Sequence, residues 1–260
     1  MVPDGPLLKD IMSQQKLRAM FLVPSIIEQL LNEPNGTAYF ESLDFVAYSG
    51  APSNPAIGDR LSQVVQLVSP FGSTETMSIP ELALPRHEWA WHEFNPNYKH
   101  EMELYDATEG VFELVIIADE TTRDTTAIYH NLPGVTRYPT KDLFIRHSEP
   151  SKYSLYKYYG RRDDIIVLDN GEKFNPVPLE LGLQTHPSVR SALVIGNGRT
   201  QPTLLVELQD SPTDEDSRTD LVEQLWPLVE KANLLVPSQV SNKYLSDINS
   251  SLMPIYKTTV

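Results

Sequence analysis

Three short stretches hold the side chains best suited to chemistry on a nucleotide: Phe71-Gly72-Ser73-Thr74-Glu75, Thr140-Lys141-Asp142-Leu143-Phe144 and Gly160-Arg161-Arg162-Asp163-Asp164. In the first, Gly72 leaves the backbone open to a ligand and Ser73 and Thr74 offer hydroxyls. Glu75 offers a hard oxygen of the kind Mg²⁺ takes. In the second, Asp142 can accept both hydroxyls of a ribose, as the acid after a dinucleotide motif does. In the third, Arg161 can reach ribose or phosphate oxygens, and Asp163 stands where a hinge can absorb dihedral change. Each stretch also has a plainer use. A G-S-T-E string is a common helix N-cap, a lone Asp is common in turns, and clustered charges are common on surfaces.

Other chemistries find less support. The six histidines show no metal-ligand spacing, Ser53 and Ser73 lack a G-x-S-x-G setting, and there is no cysteine for a nucleophile or a disulfide. The formal charge of −14, from 35 acidic against 21 basic residues, argues against nucleic-acid and anionic-membrane partners. No apolar run reaches the ~20 residues that cross a bilayer. The start, Met1 to Gly5, resembles neither a signal nor a transit peptide, so a cytoplasmic location is expected.

The elements that must position these residues follow from pattern. Met20–Val23, Phe45–Tyr48 and Val64–Val68 read as buried strands, separated by a helix over Ile26–Leu31 capped by Ser25 and a second helix opened by Asn54-Pro55. That βαβαβ order predicts a parallel sheet, and FGSTE follows its third strand directly. From about Leu82 the alternating runs Val111–Ile117, Thr125–Tyr129, Leu143–Arg146 and Tyr153–Tyr159 predict antiparallel sheet, with Asp142 just ahead of a strand. After Asp164, a hairpin turning at Asp169-Asn170-Gly171 begins a small α/β unit. That unit holds helices near Pro178–Gln184 and Asp220–Ala232 and strands at Ala192–Ile195 and Thr203–Leu208. Gly196–Thr200 reads as a hairpin turn and Asp210–Asp216 as a solvated loop.

In this order, and together with Gly50-Ala51-Pro52 and Asn170-Gly171-Glu172-Lys173, the motifs resemble the adenylate-forming superfamily of acyl-CoA synthetases and peptide-synthetase adenylation domains. The likeness runs from about Phe21 to about Leu208. The pairing of TKDLF with Tyr159-Gly160-Arg161-Arg162-Asp163-Asp164, then Leu168 to Pro176 and His186-Pro187-Ser188-Val189, is similar to the fungal synthetase-like branch that includes adenylating reductases. The resemblance implies an α/β fold: a partial large domain, made of a parallel α/β unit and an antiparallel barrel-like sheet, then a small carboxyl-terminal α/β domain. It implies an α/β remnant over 1–82, a β-rich subdomain over 83–162 and a small mobile domain over 163–260.

Roles are implied as well. Gly50, Ala51 and Pro52 match the segment along one face of adenine, and Phe71 the aromatic that stacks on the other. Gly72 and Ser73 complete the nucleotide-binding segment. Thr74 and Glu75 match the α-phosphate and Mg²⁺ contacts, Asp142 the ribose-binding acid, Arg161 its neighbour, and Asp163 the hinge. Pro70, Ser78 and Ile79 fall at acyl-pocket positions, and the terminal segment offers Lys257 for the family's catalytic lysine, against the plainer reading of a frayed, solvated lysine.

The implied reaction joins a small carboxylic acid to AMP from ATP and passes it to a phosphopantetheine thiol, on CoA or on a carrier domain. The sequence departs from the family in three places. The glycine of its T-G-D is Lys141 here, no Ser/Thr/Gly-rich phosphate loop lies upstream of FGSTE, and Lys257 lacks the arginine and glycine that accompany the family's lysine. The expectation is therefore a fragment of an adenylating enzyme that needs its amino-terminal lobe. The alternative is a non-catalytic nucleotide-binding or partner-docking protein derived from one.

Overall fold

A computed structural model describes residues 5–50, 53–171, 173–200, 202–210, 214–233, 244–245 and 252–256. The chain divides into two units, 1–159 and 160–260.

The first unit begins with helix α1 (Gly5–Gln14), strand β1 (Ala19–Leu22), helix α2 (Pro24–Leu31), strand β2 (Phe45–Tyr48), helix α3 (Pro55–Ser62) and strand β3 (Gln66–Val68). The strands form a parallel sheet in the order β1-β2-β3. Met20, Leu22, Val46, Tyr48 and Leu67 turn to one face, where Ile27, Leu30, Leu31 and Leu61 of α2 and α3 cover them. Asn54 caps α3 by accepting from the Ala56 N–H at 2.9 Å, as expected. Helix α2 starts two residues earlier than a Ser25 cap allows, with Val23 at the cap position. Pro24 takes the first helical position, because its fixed φ suits that place and its missing N–H costs nothing there.

Next come the short hairpin β4 (Gly72–Ser73) and β5 (Met77–Ser78) and a five-stranded sheet. Its strands are β6 (Trp91–His92), β7 (His100–Asp106), β8 (Val111–Ile117), β9 (Arg137–Arg146) and β10 (Tyr156–Arg161), ordered β6-β10-β9-β8-β7. Its core joins Leu114, Ile116, Phe144, Phe94 and Ile128. The strand expected at Thr125–Tyr129 is instead a helical turn, α4 (Ala127–Asn131). Asp119 accepts from the Thr121 N–H at 2.8 Å and starts a run of tight turns, in which the Thr122 carbonyl takes both the Thr125 and Thr126 N–H groups. Those local bonds outweigh the β-preference of the threonines.

The second unit opens with β11 (Ile166–Val167) and β12 (Lys173–Phe174), an antiparallel pair. Helix α5 (Val177–Leu183) follows, then β13 (Val189–Ile195), β14 (Thr203–Leu208), helix α6 (Glu215–Asn233), β15 (Tyr244–Leu245) and β16 (Leu252–Tyr256), with sheet order β13-β14-β16-β15. Leu179, Leu183, Val194, Leu204, Val206, Leu225 and Val229 form its own core. Part of the expected acidic loop is a helix start, because Asp214 accepts from the Ser217 N–H at 2.7 Å and caps α6. The turn 196–200 is fastened to β11. Gly198 N–H donates to the Val167 carbonyl at 2.7 Å, and Val167 N–H donates to Asn197 Oδ1 at 3.1 Å.

Candidate functional site

The segment Phe71–Glu75 forms a hairpin, not the start of a helix. Ser73 N–H donates to Thr76 Oγ1 at 2.9 Å, and Phe71 accepts from the Ile79 N–H at 2.8 Å. These bonds hold Thr74 and Glu75 at an exposed tip just past the carboxyl end of the parallel sheet. Asn131 Nδ2 donates to the Glu75 carbonyl at 2.9 Å and ties the tip to α4. Gly72 serves the hairpin itself: a Cβ there would sit 2.0 Å from the Met77 carbonyl oxygen.

Phe71 is half-buried. Its ring meets Phe144 edge-on at 5.1 Å, His92 at 5.7 Å and Phe94 at 6.1 Å. The ring is thus held by an aromatic cluster, leaving only its outer part for a ligand. Its backbone N–H donates to Glu81 Oε1 at 3.0 Å, and the other oxygen of Glu81 lies 2.9 Å from His92 Nδ1. Glu81 thus ties the hairpin to β6, a role the sequence reading missed, and no motif signals it.

Asp142 lies inside β9, not ahead of it. The pairing of β8 with β9 shifts register between Glu113 and Val115, so Thr140, Lys141 and Asp142 bulge opposite Leu114. Thr140 Oγ1 donates to the Leu114 carbonyl at 2.9 Å and accepts from the Asp142 N–H at 3.1 Å. Lys141 has φ +65°, the left-handed conformation that a glycine adopts freely. Its N–H donates at 3.1 Å to the carboxylate of Glu113, which is 5% exposed. The bulge lifts Asp142 out of strand alternation and leaves it half-buried.

Arg161 ends β10 and is exposed, and Asp163 sits in the single 3-10 turn Arg162–Asp164 just after the unit boundary. Gly50 is exposed at φ +94°. Ala51, Pro52 and Lys257 lie outside the described residues.

Pro70, Ser78 and Ile79 come together on the wall of one cavity of about 550 Å³, beside β3 and the segment 80–91. Trp89 forms part of that wall. Its indole fills a slot over Gly58 of α3, where a Cβ would meet ring carbons at 2.2 Å, and its Nε1–H donates to Asp59 at 3.0 Å. Gln66 Nε2 donates to the Leu67 and Leu84 carbonyls at 3.1 and 3.2 Å and pins the segment down. Tyr48 is hydrogen-bonded to Ser69 of that wall, and burial pushes its hydroxyl above its ordinary pKa.

Among the described residues no group of three or more acids or histidines could hold a metal. Glu75 fits Mg²⁺ only in the mode where substrate phosphates and water complete the shell.

Residues 163–251 match the family described as AMP-binding enzyme C-terminal domain. Over 245 residues the chain is 31% identical to a carboxylic acid reductase of Neurospora crassa, covering 92% of this chain and 23% of that protein. An adenylate-forming reductase of Serpula lacrymans is likewise 31% identical over 240 residues, covering 89% and 21%. The chain belongs to the adenylate-forming superfamily. The chain spans about a quarter or less of the length of these fungal relatives. The mixed α/β fold is that of adenylate-forming enzymes. The A-PCP didomain of carboxylic acid reductase from Segniliparus rugosus, solved in complex with AMP, overlays with a TM-score of 0.57 at 18% identity, covering 89% of this chain and 37% of that one. Among the described residues of this superfamily member, no helix is long and apolar enough to cross a membrane.

Proposed function

We propose that this chain supplies the adenosine- and acyl-facing half of an adenylate-forming active site, together with the small domain that follows it. The observation that carries the reading is the hairpin β4–β5, which holds Thr74 and Glu75 exposed just beyond the carboxyl ends of a parallel sheet, where α/β folds bind ligands. Thr74 contacts the α-phosphate and Glu75 a Mg²⁺ that also binds substrate phosphates. Gly50 to Pro52 and the outer part of Phe71 flank adenine, with Gly72 and Ser73 beside it. Asp142 and Arg161 take the ribose.

The reaction is attack of a carboxylate on the α-phosphorus of ATP with release of pyrophosphate, followed by transfer to a phosphopantetheine thiol on CoA or a carrier domain. The protein's part is positioning and charge stabilisation. No segment of these 260 residues matches the family's phosphate loop, so the grip on pyrophosphate comes from an amino-terminal lobe outside them. Rotation at Asp163 brings the small domain from one half-reaction to the other, and Lys257 is the candidate lysine it delivers.

Calorimetric titration with AMP and with a non-hydrolysable acyl-adenylate mimic tests this. Saturable binding that weakens about tenfold or more in Asp142→Ala, about 1.4 kcal/mol, is expected. Absence of nucleotide binding to the folded chain counts against it.

A second reading is favoured by the far face of the parallel sheet. Phe21, Ala47 and Val68 stand in cross-strand register there, with Phe21 66% and Val68 40% exposed on either side of a buried Ala47. Such a face marks an interface, so a partner-docking protein without catalysis would also use it. Nucleotide binding with no dependence on Asp142 would favour that reading.

A further inference from the structure

We propose that the cavity beside β3 takes the uncharged, apolar body of a hydrophobic monocarboxylic acid that bears no α-amino group. The proposal rests on the reading of Pro70, Ser78 and Ile79 as acyl-pocket residues and narrows its substrate class.

Two acids line this cavity, and both are already engaged. Glu81 gives one oxygen to the Phe71 N–H and the other to His92. Glu88 is buried and pairs with Lys152. The amide nitrogen of Gln66 donates to two backbone carbonyls. An ammonium group entering here would compete with the Phe71 N–H or with Lys152 for a carboxylate that is already satisfied, and the cost of stripping its water would not be offset.

Apart from Ser69 and Ser78, whose hydroxyls are neutral, the remaining side chains of the wall are apolar. Val68 and Leu82 are 40% and 41% exposed, and Ile79 closes the floor. Trp89 supplies a flat face that Gly58 and Asp59 hold fixed. A volume of about 550 Å³ is within the range of ligand pockets. Covering those half-exposed side chains with a hydrocarbon or aromatic body removes apolar surface from water, and both carboxylates of the wall are already engaged.

Trp89 and Trp91 both line the cavity, so tryptophan emission of the full chain reports occupancy. The test titrates 3-phenylpropanoate against L-phenylalanine, which differs by the α-amino group. A saturable emission change with 3-phenylpropanoate is expected, with L-phenylalanine about tenfold weaker or silent. The response should be lost in Val68→Glu, which places a charge in the cavity, and in Ser78→Phe, which fills it; circular dichroism reports folding of both. Equal or tighter binding of L-phenylalanine, no saturable response to the acid, or an unchanged response in both folded variants overturns the proposal. AMP titration of the same samples separates the two readings. AMP binding without an acid response removes the substrate class and leaves the adenosine site standing. An acid response without AMP binding supports the cavity and removes the adenosine site.

Discussion

The backbone N–H of Lys141 donates to the buried carboxylate of Glu113 at 3.1 Å, across the bulge that carries Asp142. That bond helps hold a lysine at φ +65°, where a side chain costs about 1–2 kcal/mol relative to glycine. The ribose-binding candidate is thus set by a strained neighbour and a buried acid.

Lys141→Gly should therefore raise stability, by about 0.5–1 kcal/mol once the extra freedom of glycine in the unfolded chain is subtracted. The urea midpoint of the two proteins checks this. A lower midpoint would show that other contacts of the lysine side chain outweigh the strain.

Gly72→Ala should open the hairpin, because its Cβ would press on the Met77 carbonyl at 2.0 Å and backbone cannot yield as a side chain does. AMP affinity is expected to fall about tenfold or more, while far-ultraviolet circular dichroism stays near that of the parent. Unchanged affinity would mean that the tip does not need this geometry.

Gly58→Ala tests the mounting of Trp89. The added methyl meets the indole at 2.2 Å, and overpacking of this kind costs about 1–3 kcal/mol, more than alanine gains over glycine within a helix. A lower melting temperature and red-shifted tryptophan emission are the expected pair of results. Red-shift without destabilisation would mean that the indole leaves its slot at no cost to packing.

Glu180 offers a test in pH. Its Oε1 accepts from the Val194 N–H of the edge strand β13 at 2.8 Å, and burial, with a smaller push from Asp164, raises its carboxyl above the ordinary 4.5. A raised folded-state pKa on an acid means the native state binds the proton more readily, so this group's contribution falls as pH rises from about 4.5 through the raised value. Glu180→Gln keeps the acceptor and removes the charge. It should be more stable than the parent at pH 7 and lose that advantage near pH 4.5. Melting temperatures across that interval decide it, and a constant difference would assign the effect elsewhere.

Much of the fold was legible because its signals are local. Asn54-Pro55 announces a helix start, and the runs at Phe45–Tyr48 and Val111–Ile117 match strands β2 and β8 end to end. The failures share a physical cause. At Thr125–Tyr129 side-chain preference pointed to a strand, but Asp119 and Thr122 supplied turn bonds that no periodicity count includes. The motif residues were legible as types, whereas their setting was not. Glu113, which fixes the bulge, and Glu81, which ties the hairpin to β6, belong to no motif and act through contacts 28 and 10 residues away.

The fastening of turn 196–200 onto β11 has a mechanical meaning. Val167 and Gly198 are laced together, Asp169 N–H adds a bond to the Arg199 carbonyl, and Gly160 already lies against Asn175. Strand β11 and Asp169 are thereby geared to the turn that follows β13. For the proposed hinge at Asp163, this lacing means that β11 and the turn 196–200 would travel as one piece with the small unit.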